Sequence, residues 1–460
     1  MPLTIPNQPV LIITLILGIT ICFGWIAFAL ISLRENERIA FRRSLLMAII
    51  MACPYLIIGL VSCQYQILCA QILLTITILV LIVLNLPLGR KIYKSMAVPD
   101  DYRVDERDTM FSRRELQPET PRFIEYYHTH PKEKISDDRF RQKPGLLSPR
   151  SQYYDPYYFN AADAGFNTIE CMRDHVEGPI NSEKISVTPA KISRFLKQWA
   201  LQLGAHSVGI TRLKPYHLYS VSGRGERYGK PVDPDHSFAI AITVEMDFDS
   251  VGTAPLAPAV AESARQYVNS GVIAIQTAKF IRKLGYSARA HIDGNYLLVC
   301  PLVARDAGLG EIGRIGLLMT PDLGPRIRIA IVTTDLLLIP DKHIPDYTVE
   351  DFCRHCKKCA LNCPAGAIPE DDPKDHNGVK RWKIYDAACY SYWCVVGTDC
   401  GQCMRVCPYS HPNTFFHNVI RSGIRNSFIF RRFALMMDDF LYGRTPKPKD
   451  LTFPGNCRDE

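Results

Sequence analysis

The chain reads as an α+β protein with a helical membrane segment at its start and an iron–sulfur module near its end. Three observations predict this class. Three uncharged apolar runs lie before residue 90, helix and strand periodicities alternate from Thr188 to Thr333, and two cysteine groups follow between Cys353 and Cys407. At 460 residues the length suggests about two to four domains. The net charge of +8 is mild and forms no Lys/Arg stripe, which argues against a nucleic-acid partner. Nine of the 16 cysteines fall in the two groups, a pattern that suits a reducing compartment better than a disulfide framework.

The apolar runs are Pro9 to Leu33, Ser44 to Ser62 and Ile67 to Leu88. Each is about long enough to cross the hydrocarbon core as a helix. A cleaved signal peptide would begin with a basic stretch and present one run rather than three. The loop after the first run holds Arg34, Arg38, Arg42 and Arg43, and the third run ends in Arg90, Lys91 and Lys94. Residues 1–10 and the turn Cys63–Gln66 carry no charge. Basic segments stay in the cytoplasm, so the N-terminus is expected outside and the soluble part, from about Tyr93, inside. That makes a multi-pass protein of the cell's inner membrane, with a membrane anchor over residues 1–94. Arg42-Arg43 resembles a twin-arginine export signal, but it follows an earlier span and reads more simply as topogenic charge. No histidine precedes His128, so haem ligation within the membrane is not expected. Cys22, Cys53, Cys63 and Cys69 read as small residues compatible with lipid.

Residues 95–150 are charged and proline-punctuated and read as linker and irregular surface structure, part of a linker and pocket-covering segment over 95–186. Within it, Gln152–Asn160 is rich in aromatics (Tyr153, Tyr154, Tyr157, Tyr158, Phe159), as surface packing or as the wall of an apolar pocket. Pro189–Leu203 places Ile192, Phe195, Leu196, Trp199, Ala200 and Leu203 on one helical face. Strands are expected at Ser207–Thr211, Ser237–Val244, Ala288–Ile292 and Ile327–Thr333, and a long helix over Glu262–Leu284, stopped by Gly285. Helices layered on a sheet follow from that alternation.

Gly308-Leu-Gly-Glu-Ile-Gly313 matches G-x-G-x-x-G. A dinucleotide site would need a strand before it and an unbroken helix after it. Here Pro301-Leu-Val-Ala-Arg-Asp precedes it and Pro321 and Pro325 follow, so the match is set aside. Close backbone approach to another large ligand remains a reason for so many glycines.

The cysteines carry the strongest signal. Cys353, Cys356, Cys359 and Cys363 follow C-x2-C-x2-C-x3-C, with Pro364 next; Cys389, Cys394, Cys400, Cys403 and Cys407 follow, with Pro408 last. Two-residue gaps curl three thiolates onto one cube, and the fourth points to a second cube. The spacing therefore predicts two 4Fe–4S clusters in a ferredoxin-like fold over residues 346–415. One takes Cys353, Cys356, Cys359 and Cys407. The other takes Cys363, Cys400, Cys403 and either Cys389 or Cys394. Paired zinc ribbons would not need this crossed sharing.

A series of motifs runs from about Val187 to Pro412, roughly half of the chain: Arg265-Gln-Tyr267, Phe280-Ile-Arg-Lys-Leu-Gly-Tyr286, Gly294-Asn295 and Asp306-Ala-Gly-Leu-Gly-Glu-Ile-Gly-Arg314. Gly324-Pro-Arg-Ile-Arg328 and Thr334-Asp-Leu336 come next, then the cysteine groups with Cys389-Tyr-Ser-Tyr-Trp393 and Asp399-Cys-Gly-Gln-Cys403. In these residues the chain resembles the corrinoid-dependent reductive dehalogenases and their relatives, the epoxyqueuosine reductases. The resemblance implies a nitroreductase-like α/β domain over 187–345 that holds a cobalamin, with the iron–sulfur domain against it and a C-terminal extension at 416–460. It favours Cys389 over Cys394. It implies corrin contacts from Gly294, Gly308, Gly310, Gly313, Arg314, Gly316 and Thr320. The family's cobalt has no protein histidine below it, and D-x-H-x-x-G is indeed absent; His343, in Asp341-Lys-His343, is expected to be a loop histidine.

The implied activity is reductive removal of halide from an organohalide by cob(I)alamin, reduced through the two clusters. Tyr267 is then the proton donor, Asn295 assists by hydrogen bonding, and Arg328 supplies the charge that favours tyrosinate, with Arg326 as its rival. Typical respiratory members start with a twin-arginine signal and use a separate small anchor. This chain is expected to need neither, since it carries its own spans. The implied partners are membrane lipid, the organohalide and an electron donor (quinol, ferredoxin or flavodoxin). Two other readings stay open: a corrinoid reductase of another substrate, such as a modified nucleoside, and a membrane-tethered electron-transfer subunit without cobalamin.

Overall fold

The structure is a computed structural model that describes residues 8–61, 64–86, 98–99, 101–233 and 236–450. Cys63, Arg90, Lys91, Lys94 and the expected boundary at residue 94 lie outside these. The chain divides into two units, one of residues 1–92 with 413–446, the other of residues 93–412 with 447–460.

In the first unit, helices α1 (Gln8–Arg34), α2 (Arg38–Leu60) and α3 (Gln66–Asn85) are long and apolar enough to cross a membrane. Helices in lipid associate through small residues that let backbones approach. A side chain at Gly18 would strike Tyr55, and one at Gly59 would touch Leu15. Ala29, Ala48 and Ala52 are buried alongside. α2 starts at Arg38, earlier than the apolar run at Ser44, because its first turns are basic and lie at the end of the bundle.

The second unit begins differently from expectation. The stretch read as linker holds helices α4 (Met110–Arg113), α5 (Pro121–Thr129) and α6 (Pro131–Arg141). Pro121 and Pro131 occupy first-turn positions, where a missing N–H costs nothing. A buried Arg113–Asp137 pair at 2.9 Å, to which the Tyr127 hydroxyl donates at 2.8 Å, holds the three together. The aromatic segment opens α7 (Pro156–Cys171). The Asp155 carboxylate caps it, accepting from the Tyr157 and Tyr158 amides at 2.9 Å. Phe159 is buried against Ala162, Val260 and Ala264, while Tyr157 is exposed.

Helix α8 (Pro189–Gln202), strand β1 (Ser207–Arg212), strand β2 (Phe238–Glu245), a short α9 (Phe248–Gly252), the long α10 (Ala257–Lys283) and strand β3 (Ala288–His291) follow. α10 starts five residues before the expected Glu262, again with proline in its first turn. Then come α11 (Cys300–Asp306), the two-residue strands β4 (Glu311–Ile312) and β5 (Leu318–Met319), and β6 (Ile327–Thr334). The main sheet has the order β1-β2-β6-β3 and every pair is antiparallel. Alternation sorts its faces. Ile240, Ile242 and Val244 join Leu196, Ile273 and Ile281 under α8 and α10. Ala239 and Ala241 face the other way, with Val303, Ala304 and Ile331.

The glycine-rich segment follows a helix, not a strand, so no dinucleotide turn forms. His343 is a loop residue, hydrogen-bonded to Glu311 Oε1 at 2.9 Å. The cysteine region comprises α12 (Tyr347–Cys356), α13 (Lys358–Leu361), a small hairpin of β7 (Lys374–His376) and β8 (Val379–Arg381), α14 (Asp386–Val396) and α15 (Gln402–Arg405). The last helices, α16 (Phe415–Asn426) and α17 (Phe428–Tyr442), belong to the first unit.

Candidate functional site

Tight turns gather the cysteines. Lys357 takes a left-handed φ of 56° between Cys356 and Cys359, and Cys400 and Gly401 are left-handed in succession (59° and 71°). The sulfurs fall into two sets by the charge they exert on one another. Cys407 is influenced by Cys353, Cys356 and Cys359. Cys400 is influenced by Cys389 and Cys363, and Cys403 by Cys400, Cys389, Cys359 and Cys363. Cys394 lies elsewhere, buried in an apolar cluster with Met110, Phe140 and Tyr390.

Burial first, then neighbouring sulfur, pushes the Cys359 and Cys389 thiols up to about 12; burial does the same to Cys400. Cys403 and Cys407 are raised well above the ordinary thiol value, and Arg314 works against the rise at Cys353 and Cys359. Such thiols ionise only with positive charge among them. The all-sulfur chemistry of the two sets fits iron–sulfur clusters.

A second centre surrounds Tyr267, on α10. Tyr267, Tyr296, Tyr219 and Arg328 are each half-buried and keep some accessible surface. Burial pushes the Tyr267 phenol up to about 12, although Arg328 works in the opposite direction. The guanidinium of Arg328 lies over the Tyr267 ring, 4.8 Å from its centroid. Burial opposes the charge on Arg328, but Tyr267 and Asp399 hold its pKa above the ordinary value. Arg328 Nη2 donates to Asp399 Oδ2 at 3.0 Å and to Ser263 Oγ at 2.6 Å. Asp399 immediately precedes Cys400, so one ion pair joins the tyrosine to the cysteines.

Arg326, two residues away, points elsewhere: its guanidinium donates to the Ser410 carbonyl at 3.0 Å and pairs with Glu245 at 2.7 Å. Asn295 lies in the turn between Asp293 and Tyr296, both of which act on Tyr267 or are acted on by it. Its amide oxygen accepts from Arg289 at 2.8 Å and from Arg227, and its Nδ2 donates to the Arg173 carbonyl at 3.4 Å.

The expected corrin contacts divide. Gly294 is left-handed (φ 69°) and leaves room for the Arg173 guanidinium. Gly308 closes α11 at φ 80°. Gly316 is left-handed with almost open space at its Cα. Gly310 and Gly313 instead allow close approach to Met319, and Gly313 also borders Cys353 Sγ. Arg314 is fully buried; it donates to the Cys353, Pro369 and Asp371 carbonyls and lies over Trp382, pinning the first cysteine turn. Thr320 closes its own turn onto the Gly324 carbonyl at 3.1 Å. Sequence reasoning missed Ser263 and the ion-pair role of Asp399; a carboxylate beside a cysteine in Asp399-Cys-Gly-Gln-Cys403 was the available signal. A crevice of about 880 Å³ between α5, α6 and the β7–β8 hairpin has many charged lining residues and includes Asp371 and Trp382, but neither Tyr267 nor any of the cysteines.

Residues 352–411 match the 4Fe-4S dicluster domain family. The tetrachloroethene reductive dehalogenase of Desulfitobacterium hafniense is 39% identical over 193 residues, 40% of this chain and 34% of the relative. That of Sulfurospirillum multivorans is 31% identical over 291 residues, 55% and 58% of the two chains. The epoxyqueuosine reductase of Salmonella typhimurium is 24% identical over 255 residues, 48% and 65%. Among solved structures, a catabolic reductive dehalogenase superposes with a TM-score of 0.62 at 26% identity, over 76% of this chain and 48% of that one. The chain thus spans less than two thirds of the length of the relatives it matches. It is a homologue of the reductive dehalogenases, carries a 4Fe–4S dicluster domain, and is related to the epoxyqueuosine reductases.

Proposed function

We propose that the chain is a membrane-anchored reductive dehalogenase, taking halide from an organohalide with electrons passed through two 4Fe–4S clusters to a bound cobalamin. The observation that carries this reading is a linkage of side chains: a half-buried Tyr267, its phenol held protonated, lies under Arg328, which Asp399 ties to the turn of Cys400 and Cys403. Cys353, Cys356, Cys359 and Cys407 hold one cluster, and Cys363, Cys389, Cys400 and Cys403 the other. Gly294, Gly308 and Gly316, with Tyr267 and Tyr296, would line the cobalamin. When bound, cobalamin supplies a strongly reducing, nucleophilic cobalt centre.

The chain's own residues govern the proton. Tyr267 gives its phenolic proton to the carbon that loses halide. Arg328 stabilises the tyrosinate that remains, and Asp399 and Ser263 hold the guanidinium in place. Asn295, fixed by Arg227 and Arg289, assists by hydrogen bonding. The basic residues that flank the spans support a topology with the N-terminus outside the cell membrane and the catalytic part in the cytoplasm, where a quinol, ferredoxin or flavodoxin supplies electrons.

The test is halide release by the anaerobically purified full chain from a panel of chlorinated and brominated ethenes and phenols, with an artificial low-potential donor. Tyr267→Phe is expected to abolish release while iron and corrinoid content stay unchanged. Equal turnover by that variant removes Tyr267 from the mechanism, and no halide from any substrate in the wild type removes the activity.

A further inference from the structure

The two C-terminal helices are built inside out. α16 turns His417 inward, where its Nε2 meets the Glu35 carboxylate at 3.2 Å, both side chains buried. Arg431 of α17 is also buried and donates to the Ile424 carbonyl at 2.9 Å. Several large apolar residues face outward, although Ile424, Ala434, Leu441 and Tyr442 are buried. Phe415 is 74% exposed and Met436 58%, and Val419, Ile420, Phe433 and Phe440 share their faces at helical spacing. In water this arrangement wastes apolar burial and hides charge, so the surface implies an apolar surround.

Position identifies that surround. Leu441, Tyr442 and Met437 of α17 pack with Ala40, Trp25 and Phe28, and the Phe28 ring meets Phe416 of α16 edge-on at 5.9 Å. Arg43 donates to the Phe440 carbonyl. Phe28 precedes Arg34, the basic end of α1, by six residues, about 9 Å along a helix. That is the depth of about 5–10 Å at which amphipathic helices lie at the headgroup boundary. Of the five arginines in residues 415–444, Arg425, Arg432 and Arg444 are not buried, against two aspartates (Asp438, Asp439), so the outer charge is at most weakly cationic. α17 also packs against α2, where Ile39 and Leu46 are exposed apolar residues.

We infer that α16 and α17 form a fourth membrane element, a helical pair whose Phe415, Val419, Phe433, Met436 and Phe440 face lies among phospholipid acyl chains beside the basic end of the three spans. This rests on the reading that α1–α3 cross the membrane, and the test separates the two. The full chain is reconstituted into vesicles of phosphatidylethanolamine and phosphatidylglycerol containing a phosphatidylcholine with a diazirine near its acyl carbonyl. After illumination, lipid adducts are mapped on peptides. Adducts are expected on peptides from 415–440 as well as on those from α1–α3. In a Phe433→Glu/Met436→Glu variant the α17 adducts should be lost while those of the spans remain. Adducts on the spans but none on 415–440, or cross-links from 415–440 to a second protein chain, overturn the inference. Absence of adducts everywhere overturns the membrane reading itself.

Discussion

In the proposed mechanism the Arg328 guanidinium, over the Tyr267 ring and tied to Asp399, decides how the proton moves. Burial holds the Tyr267 phenol up at about 12, against an ordinary 10.0, so the neutral acid persists where a solvated tyrosine is already ionised. The sign follows: the raised value contributes stability below pH 10.0 that is lost as pH rises toward the folded value, and the donor stays protonated throughout that range. Halide release should therefore show no alkaline fall from this phenol below about pH 10 in a pH–rate profile. An alkaline fall that Tyr267→Phe removes without abolishing turnover would contradict this. Removing a positioned acid should lower turnover by at least about 100-fold, measured as halide released by Tyr267→Phe. Asp399→Asn should lower kcat with little change in KM, because Arg328 loses the anion that aims it; a changed KM with kcat intact would assign Asp399 to substrate binding. Cys394→Ala should leave both clusters in place, since its side chain packs on Met110, Phe140 and Tyr390, whereas Cys389→Ala should cost iron. Iron loss in the first variant, with none in the second, would reverse the assignment.

At the scale of elements, what was legible followed from period. Strands β1, β2, β3 and β6 and helices α8 and α10 stand within a few residues of where alternation and helical spacing put them, because each buries a patterned face. The misreading of residues 95–150 has a physical cause. Pro121 and Pro131 look like breakers but start α5 and α6, and the charge that suggests linker includes a buried ion pair, Arg113–Asp137. Arg314 shows the other limit. Its place in a glycine-rich motif suggests a ligand contact, but its guanidinium binds carbonyls brought from residues 353, 369 and 371, which spacing cannot foresee. The central strand carries the stability of the sheet: Ile240 is fully buried between Ile210 and Val332 of its neighbours. Ile240→Ala should destabilise by about 2–5 kcal/mol, read as a lowered thermal midpoint of the purified protein; an unchanged midpoint would mean the site collapses around the loss.

For the whole molecule, the order of parts was readable in the sequence, while the company kept by the C-terminal residues was not. Residues 416–460 look like a plain extension, yet α16 and α17 belong with α1–α3, through contacts such as His417 with Glu35 that are 382 residues apart. Amphipathic spacing at Phe415, Val419, Phe433, Met436 and Phe440 was the signal that would have found them. The account as a whole stands on the cofactors. Its most direct test is the corrinoid and iron content of the full chain, purified anaerobically in detergent. About one corrinoid and about eight irons per chain, the iron expected of two four-iron clusters, is the predicted result. The same iron with no corrinoid, even after reconstitution with cobalamin, would contradict the account and leave a membrane-tethered electron carrier.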